Sequence, residues 1–193
     1  MKKLFMVVAL VLATVSLSAQ EDSRFAVRVG VGASSVVGSD AYSSSAKLFY
    51  KVGLLYDWAF SESFSLLPAV EIANKGANVD EIEGSIDMLY IQVPIHVAYR
   101  FNLSNNLKLG INVGPYVAYG IAGSDLLWDD GSVTNVFDGD NGYDRFDIGV
   151  GLGVNLDFNK FVVGVDYTRG LEKLDPNFKQ FNQTIGVVFG YKF

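Results

Sequence analysis

Thr184-Ile185-Gly186-Val187-Val188-Phe189-Gly190-Tyr191-Lys192-Phe193 closes the chain, and its reading decides the fold. Side chains on a strand alternate between two faces. Ile185, Val187, Phe189, Tyr191 and Phe193 therefore share one face, all bulky and apolar. Thr184, Gly186, Val188, Gly190 and Lys192 share the other, mostly small or polar. A soluble protein seldom ends on an exposed aromatic stripe. The closing strand of a transmembrane β-barrel needs one, since it meets lipid outside and a crowded lumen inside.

The same alternation runs upstream through seven further segments. Phe25, Val27, Val29 and Val31 oppose Arg24, Ala26, Arg28 and Gly30. Leu48 to Phe60 alternates against Lys47 to Ala59, and Phe64 to Ile72 against Ser65 to Glu71 and Lys75. Leu89 to Tyr99 alternates against Tyr90 to Arg100, and Leu109 to Tyr119 against Lys108 to Gly120. Phe146 to Phe158 opposes Asp147 to Asp157, and Phe161 to Tyr167 opposes Val162 to Thr168. With the terminal segment this predicts eight strands, an even number. The connections alternate between short (near Ser61-Glu62, Leu103 to Asn106 and Asn159-Lys160) and long, Gly/Ser/Asp-rich ones at about 33–46, 76–85, 123–144 and 170–182. Short periplasmic turns and long extracellular loops are the barrel pattern, so the predicted fold is all-β: an eight-stranded antiparallel up-and-down transmembrane barrel.

A soluble, lipocalin-like barrel would keep one face wet and charged and the other apolar around a ligand. Here the second face is neither strongly charged nor greasy, and most of the 20 glycines fall on it. Small residues suit the inside of a tight barrel, and bulky ones suit lipid. Phe25, Trp58, Phe60, Phe64, Tyr99, Phe101, Phe158, Phe161, Tyr191 and Phe193 cluster towards strand ends, as an interfacial girdle would.

The N-terminus reads as an export signal over residues 1–19: Lys2 and Lys3, then apolar Leu4 to Leu17, then Ser18-Ala19. That apolar run falls short of the roughly 20 residues a spanning helix needs. Residues 20–193 form one barrel domain, placed in the outer membrane. The chain has no cysteine, so neither a lipobox nor a disulfide exists. Its net charge is −6, and loss of Lys2 and Lys3 makes the remainder more acidic, which argues against a nucleic-acid partner.

His96, the single histidine, falls on the lumen face. Reflection of the strands through their turns sets Asp57, Asn112 and Leu67 near its level. A carboxylate beside an imidazole begins an acid–base pair, and Ser65 is the nearest lumenal hydroxyl. This defines an enzyme alternative, a lipid-modifying activity centred on His96. The competing reading is a satisfied lumenal histidine. Lumenal charges, among them Arg28, Lys51, Asp57, Glu71 and Asp166, predict an ion-pair network with His96, and reflection sets Lys51 near Glu71. Such a network is either an ion path or a plug, and eight strands leave an interior just wide enough for side chains. The third long loop carries Trp128, Asp129, Asp130, Asp138 and Asp140 as a possible binding surface, and its apolar residues either dock a partner or fold back over the mouth. Its acids fail the calcium-loop template, with Gly142 and Gly149 at the fifth and twelfth positions. No metal site and no cofactor are expected. Pro68, Pro94 and Pro115 reflect to one height and predict a bulge or weakened ladder there.

Leu89-Tyr90-Ile91-Gln92-Val93-Pro94-Ile95-His96-Val97-Ala98-Tyr99-Arg100-Phe101, Gly110 to Val117 and Asp166-Tyr167-Thr168-Arg169-Gly170-Leu171 resemble segments of the PorT-like outer-membrane β-barrel family of Bacteroidota. The terminal Phe189, Tyr191 and Phe193 likewise resemble the signal read by the bacterial barrel-insertion machinery. The resemblance implies the fold, with membrane lipid and that machinery as partners. Through one family member it also implies an alternative role beside a secretion or gliding partner. The leading expectation is a non-enzymatic barrel that is structural or binds an envelope partner through its loops.

Overall fold

The computed structural model describes residues 24–41, 44–79, 84–126, 133–137 and 142–193. The expected export signal lies outside these residues. Eight strands form the wall: β1 (Phe25–Val37), β2 (Lys47–Tyr56), β3 (Phe64–Val79), β4 (Gly84–Ser104), β5 (Leu107–Leu126), β6 (Phe146–Phe158), β7 (Phe161–Gly170) and β8 (Phe181–Lys192). Each pairs antiparallel with its chain neighbours. β1 pairs β8, with Val29 opposite Phe189, and the cylinder closes without a free edge. Two-residue ladders at Ser44–Ser45 and Trp58–Ala59 extend β3, and Val133–Thr134 extends β5. No helix occurs among the described residues.

The period-two reading fixes the two surfaces. Most outward residues from Phe25 to Tyr191 are 37–64% exposed, as at Tyr99 and Leu48, and the outer row is apolar almost without a break. A continuous apolar belt of this size is untenable in water and natural in a bilayer. The aromatics named above gather at the short-turn end. Phe64 and Tyr99 meet edge-on at 4.7 Å, Tyr99 and Phe101 at 4.6 Å, and Phe161 and Tyr191 at 5.4 Å. Phe189, Tyr191 and Phe193 all point outward into this belt or just above it, and the Phe193 amide donates to the Phe25 carbonyl at 3.0 Å.

The upper ends differ from expectation. The stretch 76–85 is not an open connection, because β3 runs to Val79 and β4 starts at Gly84. Ile86 and Met88 continue the inward row below the mouth and are 4% and 0% exposed, so burial extends the hairpin above the membrane band. β1 likewise runs on to Val37 against Phe181 of β8.

The three prolines stand side by side. Pro68 pairs Ile95, next to Pro94, and Pro94 pairs Tyr116, next to Pro115. Pairing between β3 and β4 lapses from Pro68–Ile95 to Glu71–Gln92, and between β4 and β5 from Pro94–Tyr116 to Val97–Val113. The register is the same on both sides of each gap. The ladder is thus weakened where donors are missing, while the register shifts lie elsewhere, between Leu89 and Tyr90 and, by the short turn, between Asn102 and Ser104.

Candidate functional site

Among the described residues the lumen is where polar chemistry concentrates under burial, and three tiers fill it. At mid-height Arg28 donates to Asp166 at 2.6 Å, and Lys51 reaches Asp166 at 2.8 Å and Glu71 at 3.3 Å. Gln92 adds a bond to Glu71. Towards the short-turn end Arg100 grips Asp57 with both terminal nitrogens, at 3.2 and 2.6 Å, and its Nε lies 3.2 Å from Asp157. Lys192 lies 2.6 Å from Asp157 and 3.8 Å from Asp57. Towards the long-loop end Lys75 meets Asp147 at 3.0 Å, beneath the faces of Tyr116 and Tyr90. Tyr116 and Asn182 also donate to Asp147.

Charge balance follows tier by tier. Arg28 and Lys51 face Glu71 and Asp166, Arg100 and Lys192 face Asp57 and Asp157, and Lys75 faces Asp147. Five cations meet five carboxylates. A buried charge without a partner is costly, so neutrality within each tier is what permits ionised groups here.

The glycine-rich inner face supplies the room. A Cβ at Gly151 would stand 2.6 Å from His96 Nε2, and one at Gly153 would stand 2.6 Å from Asn112 and Asp166. A Cβ at Gly30 would press on Lys51 at 2.9 Å. Glycines of one strand therefore define the pockets that hold long side chains of another.

Above the top tier an apolar cap closes the lumen. Val136 and Phe137, returning after β5, insert beside Val36, Ala77, Ile86, Met88, Tyr90 and Leu174. Phe137 meets Tyr90 edge-on at 5.9 Å, and the Arg145 guanidinium lies over its ring at 5.0 Å. These apolar loop residues fold back over the mouth, one of the two options the sequence left open. Trp128, Asp129, Asp130, Asp138 and Asp140 lie outside the described residues. At the opposite end a polar vestibule of about 460 Å³ opens between the short turns, lined by Arg24, Glu62, Arg100, Asn106, Lys108 and Lys192 among others.

The structure brings Arg28, Lys51, Glu71 and Asp166 into one tier. It separates His96 from Asp57. His96 is 7% exposed and bonds Asn112 through Nδ1 at 2.9 Å. Asn112 Oδ1 only accepts, so Nδ1 carries the hydrogen. His96 Nε2 has no partner among the described residues. The expected acid–base approach of Asp57 is corrected: its carboxylate takes the bidentate grip of Arg100, which a neutral imidazole cannot rival. Ser65 is equally committed, accepting from Arg100 Nη1 at 2.6 Å. Lys75 and Asp147 were expected among the lumenal charges, whereas the reading along the chain missed Arg100, Tyr90 and Tyr116 as site residues. Their signal was present, since each occupies the glycine-rich face at period two.

The outer membrane protein beta-barrel domain family matches residues 18–175. The chain belongs to that family. It is therefore an outer-membrane barrel whose apolar wall sits in membrane lipid. Solved structures agree on the fold. Neisserial surface protein A shares 13% identity with a TM-score of 0.59, covering 90% of this chain and 100% of that one. The outer membrane enzyme PagL shares 15% at a TM-score of 0.55, covering 87% and 99%. Ail, the attachment invasion locus protein of Yersinia pestis, solved with the heparin analogue sucrose octasulfate, shares 15% at 0.50, covering 89% and 99%. No curated protein matches the sequence.

Proposed function

We propose that this barrel is a non-enzymatic envelope protein, anchored by its wall and acting through its two ends on a partner. One observation carries the reading: five lumenal cations close on five carboxylates, which commits the charged groups to one another. The lumen is then a plug and not an ion path. Planar-bilayer recordings on the refolded barrel test it, with no steady conductance expected at neutral pH. A stable open level would overturn it.

A lipid-modifying activity is the second reading, favoured by the unpartnered Nε2 of His96 and by the likeness to the enzyme PagL. Against it, no hydroxyl among the described residues lies within hydrogen-bond reach of that nitrogen, and the ring packs over Gly151 of β6. His96→Ala should leave the lipid profile of the outer membrane unchanged, and a lost lipid product would establish the enzyme. The resemblance to the PorT-like family supports a further reading, a secretion or gliding partner on the periplasmic side. The vestibule supports that direction of contact, because Arg24 and Lys108 line it and form no ion pair among the described residues. Crosslinking from intact outer membranes, followed by identification of a periplasmic protein joined near Arg24, tests it.

A further inference from the structure

β7 ends in Arg169-Gly170-Leu171, and Arg169 plays no part in the lumen. Asp166, Thr168 and Gly170 turn inward and are buried, whereas Val163 and Val165 are exposed, so Arg169 belongs to the outer row. Its register partners, Gln183 and Val150, are outer-row residues as well. Among the described residues it is the only cation at an outward position of the eight strands.

Its height matters. Arg169 lies eight residues beyond Phe161, which sits in the short-turn aromatic belt. At ~3.3 Å per residue along a tilted strand this is ~20 Å up the wall, near the far rim of an apolar band ~25 Å tall. The side chain thus meets the headgroup level of the outer leaflet.

The surroundings are built for an anion. Arg169 Nη1 donates to Gln183 Oε1 at 3.1 Å, and the guanidinium stacks 5.4 Å from the Phe181 ring. No carboxylate lies within ion-pair distance among the described residues, so most of its five donors stay unspent. Because Gln183 accepts through oxygen, its amide NH₂ remains a donor. Ser35, opposite Gln183 on β1, adds a hydroxyl to the row. Leu171 at 60% and Ile185 at 51% exposure flank the site with apolar surface.

We infer that Arg169, Gln183 and Ser35 hold the phosphorylated headgroup of an outer-leaflet glycolipid, with its acyl chains along Ile185 and Leu171. A guanidinium fork fits phosphate oxygens in pairs, which a lysine ammonium cannot reproduce. A snorkelling arginine alone would need neither Gln183 nor the open donors.

The test uses the folded barrel in phosphatidylcholine nanodiscs doped with bis-phosphorylated or dephosphorylated lipid A, with retained glycolipid read by native mass spectrometry. Wild type should retain the phosphorylated lipid about tenfold better than Arg169→Gln, the scale of losing charged hydrogen bonds. Arg169→Lys should fall between, and dephosphorylated lipid should sit at the Arg169→Gln level. Equal retention by Arg169→Gln, or equal retention of both lipids by wild type, overturns the proposal. So does displacement of the lipid by millimolar inorganic phosphate, which would mark a simple anion site. Heat-dependent gel migration verifies folding of each variant. Should Arg169→Gln fail to fold, Gln183→Ala reads the same row, where a severalfold loss supports the proposal and none refutes it.

Discussion

Lys75 and Asp147 meet across the lumen at 3.0 Å with 1% of either side chain exposed. They stand on β3 and β6, which are not neighbours, so the bond ties opposite walls together. Removal of one partner strands a buried charge. Lys75→Met is expected to cost about 3–5 kcal/mol, measured by urea unfolding in lipid vesicles. Lys75→Met with Asp147→Leu should recover much of that loss. Recovery stays incomplete, because Tyr116 and Asn182 also donate to Asp147. A double variant no better than the single one would refute this account.

Phe137 closes the lumen against Tyr90, over Gly120 and Gly123. Phe137→Ala should cost about 3 kcal/mol, the lower range for a buried aromatic. It should also speed cleavage of the connection before β6 by an added protease. Conductance should stay closed, since the three ion tiers lie beneath the cap. An open channel in Phe137→Ala would show that the cap alone blocks the lumen.

The gaps beside Pro68, Pro94 and Pro115 predict a soft belt in an otherwise continuous wall. Amides of Val70 and Val93, which fall in the β3–β4 gap, should exchange with solvent deuterium faster than those of Ile91 and Val97 on either side. Uniform protection along β4 would refute it. Pro94→Val restores an N–H and should slow exchange at its neighbours.

The two faces of the wall were legible because lipid and lumen impose opposite demands at period two. The Lys51–Glu71 pair was legible too, since a hairpin turn fixes which residues face each other. Lys75–Asp147 and Arg28–Asp166 were not, because each crosses the lumen between strands that no single turn relates. Asp57 fell near the level of His96, one residue from the Trp58–Leu66 pair, yet backbone level does not choose a side-chain partner. Arg100 reached it with two charged bonds, and its length put it beyond simple reflection. Fold-back of the loop's apolar residues was legible only as one of two options, and the space Phe137 fills is left by the missing side chains of Gly120 and Gly123.

Asp40 stands above the membrane and links the first long connection to the last. Its carboxylate accepts from the Lys179 amide at 2.9 Å and from the Ser39 hydroxyl at 3.1 Å. The amide bond, then the hydroxyl, hold its pKa below the ordinary value of 3.8. Because the folded pKa is depressed, the link is fully present above the unfolded value. It fades as pH falls through the folded one. The Lys179 amide should therefore stay protected from exchange at pH 6, corrected for the intrinsic rate, and lose protection only as pH falls below the ordinary carboxylate value of 3.8. Asp40→Asn should remove that pH dependence and leave the amide at an intermediate, constant protection. Being fully exposed, the group governs the local link and not the barrel, whose unfolding midpoint should be unaffected by the Asn variant at pH 6. A wild-type amide indifferent to acid would break the connection between this carboxylate and the loop.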